Sequence, residues 1–147
     1  MARTTTCDTF EWMGTRYRIL LSAAKTASLG LFESLDPPGY GPPRHVHDDA
    51  DETFYVLSGD VEFWSAGAVT SHGPGDVVFI PRGQEHTFRT VGSRPARMLT
   101  VMTPGGFEGF FIEMARGGYR IPQDMARIVQ AGAMFHLRFT GPPLGAD

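Results

Sequence analysis

Glycine and proline divide this chain into short segments, and this feature limits its fold more than any other. The chain has 147 residues, of which 18 are Gly and 11 are Pro, spread along its length. Both residues interrupt regular structure and favour turns. The spacing therefore favours many short strands joined by tight turns.

Runs rich in β-forming residues lie between these turn signals. The stretch Pro37–Pro43 is dense in Pro and Gly and predicts a loop, and the runs after it alternate with a period of two. About eight or nine short strands at this spacing predict an all-β barrel or sandwich. The predicted strands are Arg16–Ser22, Leu29–Leu35, Thr53–Leu57, Val61–Trp64, Val77–Ile80, His86–Thr90 and Ala96–Met102.

The pattern changes after the last of these strands. Phe107–Met114 predicts one or two helical turns, and Pro122–Gln130 predicts a helix that packs an apolar stripe on the barrel exterior. A short segment, Met134–Phe139, and a flexible Gly-Pro-Pro tail follow. We expect one domain over residues 1–147, with a core barrel over about 10–104 and a helical and tail segment over 105–147. The predicted stripe contains Ile121, Met125, Ile128 and Val129.

Charge and cysteine content exclude several classes of protein. The net charge is −3 and the basic residues are scattered, so no nucleic-acid partner is expected. The polar start and the strand-sized apolar runs predict neither a signal peptide nor a membrane anchor. The single cysteine, Cys7, excludes an internal disulfide and a thiolate zinc site, and no base near it in sequence favours a nucleophile. A cytoplasmic protein is expected.

Three histidines and one glutamate form a candidate metal site. His45 and His47 alternate on a strand, so their side chains share a face, about 6.6 Å apart. Glu52 lies just inside the next strand, and His86 begins a later strand after a rigid turn. Alone, each histidine is more often structural than a ligand, and Glu52 could be a solvated charge. Together they suit one divalent cation with open positions for other ligands.

The spacing of these residues resembles the two sequence motifs of the cupin family. Gly39, His45, His47, Glu52 and Gly59 match the first motif at every spacing. This resemblance implies a cupin-type double-stranded β-helix, or jelly-roll barrel, with short C-terminal helices in this chain. It also implies that His45, His47, Glu52 and His86 bind one divalent transition metal ion per chain, which could be Fe, Ni, Co, Mn, Cu or Zn.

The second cupin motif is matched by Gly75, by the turn 81–83 and by His86. That motif usually ends in Asn, where this chain has Thr90. Asp51 is the rival of Glu52 as the carboxylate ligand, but its opposite parity predicts that it points away.

Residues on the same faces as the ligands predict the substrate pocket. Phe54, Phe79, Phe88 and Met98 are the candidates for inward positions near the metal, and they would favour a planar or hydrophobic organic substrate. Three side chains could line a ligand pocket but are more often ordinary core residues: Trp64, Met98 and Met102. His72 is expected in an exposed turn, and His136 is expected on the surface, partly buried.

The runs Glu52–Gly59 and Gly75–Pro81 also look like those of quercetin-dioxygenase-like single-domain cupins. That resemblance implies a metal-dependent dioxygenase of a small aromatic or phenolic compound, with Glu52 as the catalytic base. A non-oxidative isomerase, cyclase or decarboxylase would need the same ligands, and a binding module without turnover stays open. A homodimer is expected, since small cupins commonly pair through their sheets.

Overall fold

Two antiparallel β-sheets form the body of the protein, and two short helices follow them. The computed structural model describes residues 8–146, so the predictions for Cys7 lie outside the described residues. The strands are β1 (Asp8–Trp12), β2 (Thr15–Leu21), β3 (Gly30–Asp36), β4 (Pro43–His47), β5 (Asp51–Ser58), β6 (Asp60–Ser65), β7 (Ala68–His72), β8 (Val77–Ile80), β9 (His86–Val91), β10 (Ala96–Thr103) and β11 (Leu137–Pro143). The helices are α1 (Glu108–Gly117) and α2 (Met125–Met134). The all-β class with short C-terminal helices is confirmed.

The two sheets enclose a core to which both contribute. One sheet has six strands in the order β1-β2-β3-β10-β5-β8, and the other has five in the order β11-β4-β9-β6-β7. One buried cluster joins residues of the two sheets, such as Val56 from β5 and Phe63 from β6. A second cluster joins β1–β3 to the helices and includes Phe32, Phe110 and Ile128. Alternating inward side chains of short strands therefore build the barrel, as the period of two predicts.

Tight turns at glycine set the register of the hairpins. Met13 and Gly14, and likewise Ala66 and Gly67, have positive φ in two-residue hairpin turns, whose backbone twist matches that of the strands. Gly59 joins β5 to β6 with φ 81°, and a Cβ there would lie 2.5 Å from the Pro95 carbonyl oxygen. Only glycine satisfies both the positive φ and the close approach at this corner.

Three local expectations are corrected by the structure. The Gly-Pro-Pro part of the supposed flexible tail is the end of β11, which pairs with β4, so the 105–147 segment contributes a strand to the barrel sheet. Strand β7 has no counterpart among the predicted strands, since its side chains are mostly exposed and show no apolar alternation. In α2, Ile128 is buried as expected, but Val129 is 46% exposed and lies outside the packed stripe.

A buried carboxylate fixes the first turn of α1 against the strands. Glu108 accepts hydrogen bonds from the Ala23 backbone N–H at 2.7 Å and from the Gly106 backbone N–H at 2.8 Å. A side chain at Gly30 would collide with the Glu108 carboxylate. These contacts hold α1 over β3, where its aromatic residues reach the interior.

Neither helix in the described part of the chain is long and apolar enough to cross a membrane.

Candidate metal centre and its cavity

Four side chains from three strands meet inside the barrel. His45 and His47 come from β4, Glu52 from β5 and His86 from β9, and all four are buried. β4 and β9 are neighbours, and His45 lies directly opposite His86 in the ladder. One candidate ligand atom from each residue lies within 4.8 Å of those of the others. The residues named as metal ligands from the sequence are therefore brought together.

Backbone carbonyls orient two of the imidazoles. The Nδ1 atom of His45 lies 2.8 Å from the Pro43 carbonyl oxygen, and Nδ1 of His86 lies 3.0 Å from the Gln84 carbonyl oxygen. An N–H at Nδ1 donates to each carbonyl, which leaves Nε2 as the ligand atom. Glu52 lies between two rings, with Oε1 3.0 Å from His86 Nε2 and Oε2 3.3 Å from His47 Nε2.

Burial and mutual contacts set the charges of this cluster. Burial lowers the pKa of His45 to about 3, and the neighbouring His86 and His47 add to the effect, so this imidazole is neutral at neutral pH. Burial opposes ionisation of Glu52, but His47 and His86 outweigh it and hold the carboxyl pKa well below its usual range. Burial likewise disfavours protonated His86, yet the Glu52 hydrogen bond and charge raise its pKa.

This donor set fits a divalent transition ion. Imidazole and carboxylate suit Zn, Fe, Ni and Cu, and an ionised carboxylate buried among imidazoles is stabilised further by a cation. The backbone hydrogen bonds at Nδ1 are of the kind that orients metal-ligating histidines.

The neighbouring acidic residue has a different role. Asp51 Oδ1 accepts hydrogen bonds from the Arg82 backbone N–H at 2.9 Å and from Arg82 Nε at 3.2 Å, outside the cluster. The next residue of that turn, Gly83, donates its N–H to the His47 carbonyl oxygen at 2.8 Å. The turn before β9 is therefore tied to both β4 and β5, and Glu52, not Asp51, faces inward, as its parity predicts.

The other two histidines lie away from the cluster. His72 ends β7 half-buried, rather than in an exposed turn, with Nε2 2.8 Å from Thr70 Oγ1. The His136 side chain is 61% exposed and lies 3.6 Å from Asp49. Neither belongs to the group of candidate ligands.

An aromatic cavity opens beside the four side chains, and the sequence identified part of its wall. Phe54 and Phe88 line it. Met98 is fully buried in the same core cluster as Phe54, outside the cavity wall, and Met102 is equally buried. Trp64 is half-buried beneath the Arg44 guanidinium, whose carbon lies 4.0 Å from the ring centroid. The core interpretation is thus correct for both methionines.

The predicted inward placement of Phe79 is wrong. Its side chain is 57% exposed, on the outer face of β8. Phe79 lies opposite Thr53, whereas Ile80 lies opposite Glu52 and is buried. The predicted face was therefore shifted by one residue, which exchanges the two sides of a strand.

Many residues that line the cavity were not predicted from the sequence. Segments outside the metal motifs supply them, and Phe107 packs edge-on against His47 with ring centroids 4.4 Å apart. The aromatic-rich run FEGFF is apparent in the sequence, but nothing local indicates that Phe107, Phe110 and Phe111 line the cavity. The additional aromatic wall residues are Trp12, Tyr17, Phe32, Tyr40, Phe107, Phe110, Phe111 and Phe139.

A polar group borders the same cavity. Asp36 is buried, and its carboxyl accepts hydrogen bonds from Ser34 Oγ at 2.9 Å and from Thr15 Oγ1 at 3.1 Å. Burial raises the pKa of Asp36 to about 7, although both hydroxyls act in the opposite direction. The Tyr17 and Tyr40 hydroxyls interact with each other and lie near this carboxyl. The sequence signal was the parity of Ser34 and Asp36 on one face of β3.

Comparison with known families identifies the central part of the chain. Residues 32–102 match the cupin domain family, and this range contains all four candidate ligands. Over 81 residues the chain is 37% identical to quercetin 2,3-dioxygenase of Bacillus subtilis (strain 168). That match covers 55% of this chain and 24% of the relative, so this chain spans about a quarter of the relative's length.

Solved structures agree with this fold. The polyketide cyclase RemF from Streptomyces resistomycificus superposes with a TM-score of 0.59 and 27% identity, covering 70% of this chain and 78% of that one. KdgF from Halomonas sp. has a TM-score of 0.63 and 19% identity, covering 69% of this chain and 90% of its own. The expected cupin-type double-stranded β-helix is confirmed, as is the resemblance to quercetinase-like small cupins.

The raised pKa of Asp36 makes stability depend on pH. The pKa of this carboxyl is 3.8 in the unfolded chain and about 7 in the folded protein. Its contribution to the free energy of unfolding is therefore fully present below about pH 3.8 and is lost as the pH rises through about 7. The free energy of unfolding of Asp36→Asn, measured relative to that of the parent chain, should therefore rise by about 2–4 kcal/mol from about pH 5 to about pH 8. Urea unfolding at both pH values measures this, with the outward-facing Glu33→Gln on the same strand as control. A difference between parent and variant that is independent of pH would contradict the buried acid.

Proposed function

We propose that this chain, a small cupin, is a metal-dependent dioxygenase that acts on a small aromatic or phenolic compound. The observation that carries the proposal is a complete set of candidate ligands, His45, His47, Glu52 and His86, facing an aromatic cavity. The 37% identity to a quercetin 2,3-dioxygenase over 55% of the chain supports the oxidative chemistry. We propose one divalent transition metal ion per chain at these four residues.

A bound divalent transition ion would supply Lewis acidity and, if redox-active, a route for dioxygen activation. The chain's own residues would then position the substrate. Phe54, Phe88 and Phe107 hold a planar ring and exclude water. Glu52 is ionised and faces the cavity, so it is the group we assign to accept the proton of a substrate hydroxyl.

A non-oxidative reaction is the second candidate. The likeness to the polyketide cyclase RemF, at 27% identity, favours a cyclase, isomerase or decarboxylase that uses the same residues. In that case the ion would only polarise a carbonyl group, and Glu52 would still move the proton. A site without turnover would bind the same compounds and leave them unchanged.

We further propose that the protein is a homodimer. Four large apolar side chains are exposed on the outer face of the paired strands β5 and β8, and β8 is an edge strand of its sheet. Tyr55 lies opposite Val77, and Phe79 lies two residues further along β8. A second copy packed on this face would remove the apolar surface from water. The four residues are Tyr55, Leu57, Val77 and Phe79.

Removal of one proposed ligand tests the metal site. His86→Ala should weaken metal binding by more than about tenfold, because it removes an imidazole from the first coordination sphere. Elemental analysis of the purified protein after dialysis against a weak chelator measures the stoichiometry. His72→Ala is the matched control and should retain the metal. Equal stoichiometry in all three proteins would show that the site is assigned wrongly.

Oxygen consumption tests the reaction. With quercetin as substrate, the metal-loaded protein should consume dioxygen, and Glu52→Gln should lower the rate by about a hundredfold or more through loss of the base. An oxygen electrode follows the reaction, metal content is measured in the same samples, and Glu33→Gln is the control. Binding of phenols without any oxygen uptake would refute the dioxygenase and favour the second candidate.

The assembly is tested by placing a charge in the exposed apolar face. The parent chain should have twice the 16.1 kDa chain mass in light scattering at micromolar concentration. Phe79→Lys should shift the population towards monomer, because it places a charge in the proposed interface. Val69→Lys, at an equally exposed position of the other sheet, should not. A monomeric parent chain would overturn the proposal.

A further inference from the structure

We propose that the cavity has a second polar subsite, formed by Asp36 and Tyr40, which binds a hydroxyl or carbonyl group at the far end of an elongated, uncharged aromatic substrate, and that the Thr100 hydroxyl contacts the middle of the same substrate. The inference rests on the proposed function, since it names the class of compound that the same cavity takes. Asp36, Tyr40 and Thr100, which are not candidate metal ligands, would then bind the substrate.

The strand registers place the two polar sites at different heights of one cavity. Glu52 lies opposite Met102 of β10, and Met102 lies opposite Gly30 of β3. Asp36 is six residues further along β3, a strand path of roughly 20 Å. Both Glu52 and Asp36 line the cavity, and side chains reach into it from both ends. A substrate that reaches from one site to the other would therefore contain two or three linked or fused rings rather than one.

Thr100 lies between these two heights and has a hydroxyl without a partner. It lies opposite Phe32 of β3 and Phe54 of β5, and all three line the cavity. The residue is 1% exposed, and its Oγ1 atom makes no hydrogen bond within the described chain. Buried hydroxyls are almost always hydrogen-bonded in native proteins. A polar atom of a ligand lying between the aromatic walls would supply the missing partner.

The Asp36 end of the cavity can both donate and accept hydrogen bonds. The Ser34 and Thr15 hydroxyls engage one carboxyl oxygen each, which leaves further acceptor positions on the carboxyl group. The hydroxyl of half-buried Tyr40 lies near Asp36 and adds a donor. Burial favours the protonated carboxyl, which is itself a donor. Hydroxyl and carbonyl groups match such a mixed set of partners.

Charge excludes acidic ligands from this end. The described residues that line the cavity include neither Lys nor Arg. A carboxylate or phosphate group beside Asp36 would be desolvated without a counter-charge, which is strongly unfavourable. The remaining wall is aromatic, so the compound is uncharged and flat over most of its length.

Two flavonols that differ only at the far ring test the subsite. Quercetin carries two hydroxyls on that ring and galangin carries none, whereas their metal-binding ends are the same. We expect the zinc-loaded protein to bind quercetin about tenfold more tightly, the effect of one or two hydrogen bonds. Asp36→Asn and Tyr40→Phe should each reduce this preference to about threefold or less. Thr100→Val should weaken both flavonols to a similar extent, since its hydroxyl faces the shared rings.

The controls separate this inference from the dioxygenase proposal. Binding is measured by fluorescence titration of zinc-loaded protein, so no turnover is required, and every variant is checked for metal content. Glu33→Gln, whose side chain pairs with Arg97 away from the cavity, should keep the parent preference. If Asp36→Asn fails to fold, Tyr40→Phe keeps the test in place, because it removes only a hydroxyl.

Three results would overturn the subsite: equal affinity of the parent chain for both flavonols, an unchanged preference in Asp36→Asn and Tyr40→Phe, or no binding of either compound. Loss of preference in these variants with no oxygen uptake by the parent would support the subsite and refute only the dioxygenase.

Discussion

The contact of the Glu52 carboxylate with His47 and His86 organises the centre of this protein. Glu52 belongs to the six-stranded sheet and the two histidines to the five-stranded sheet, so the contact joins the sheets across the interior. Burying an ionised carboxylate is costly, and here two imidazoles compensate it. His45 remains neutral beside them because burial lowers its pKa. The result is a buried, electron-rich group of candidate ligands whose charge favours a divalent cation.

Strand parity and turn signals made this centre predictable. The shared face of His45 and His47 and the inward parity of Glu52 follow from the period of two, and His86 begins a later strand after a rigid turn. The resemblance to the cupin motifs supported all four residues. The same parity argument failed at Phe79, because no fixed point in β8 sets which residue of the pair faces inward. A slip of one position there moved a surface residue into the predicted pocket.

Long-range packing determines what the sequence did not predict. The end of strand β11 was assigned to a tail because its glycine and prolines suggest a loop, yet pairing with β4 holds it in the sheet. Phe107 and Phe110 were placed on a helix, but their contact with the cavity depends on Glu108 fixing that helix over β3. Asp36 is next to a proline-rich loop, and only the folded barrel shows that it is buried beside the cavity.

The family match and the cavity wall divide the chain into two kinds of segment. All four candidate ligands lie within residues 32–102, whereas Trp12, Tyr17 and Phe107 lie outside that range. The part that matches the cupin domain family thus holds the candidate ligands, and the flanking strands and helices line the space beside them. The shape of the cavity can therefore change through the flanking segments without altering the four candidate ligands.

The hydrogen bond from Gly83 to the His47 carbonyl oxygen has a consequence for how such a site can change. It ties the turn that leads into His86 directly to the strand that carries His45 and His47. Inserting or deleting a residue in this turn would displace one imidazole relative to the other two. The length of this loop is therefore constrained by the need to keep His86 beside His45 and His47, whereas side chains around the cluster can be exchanged without moving the backbone.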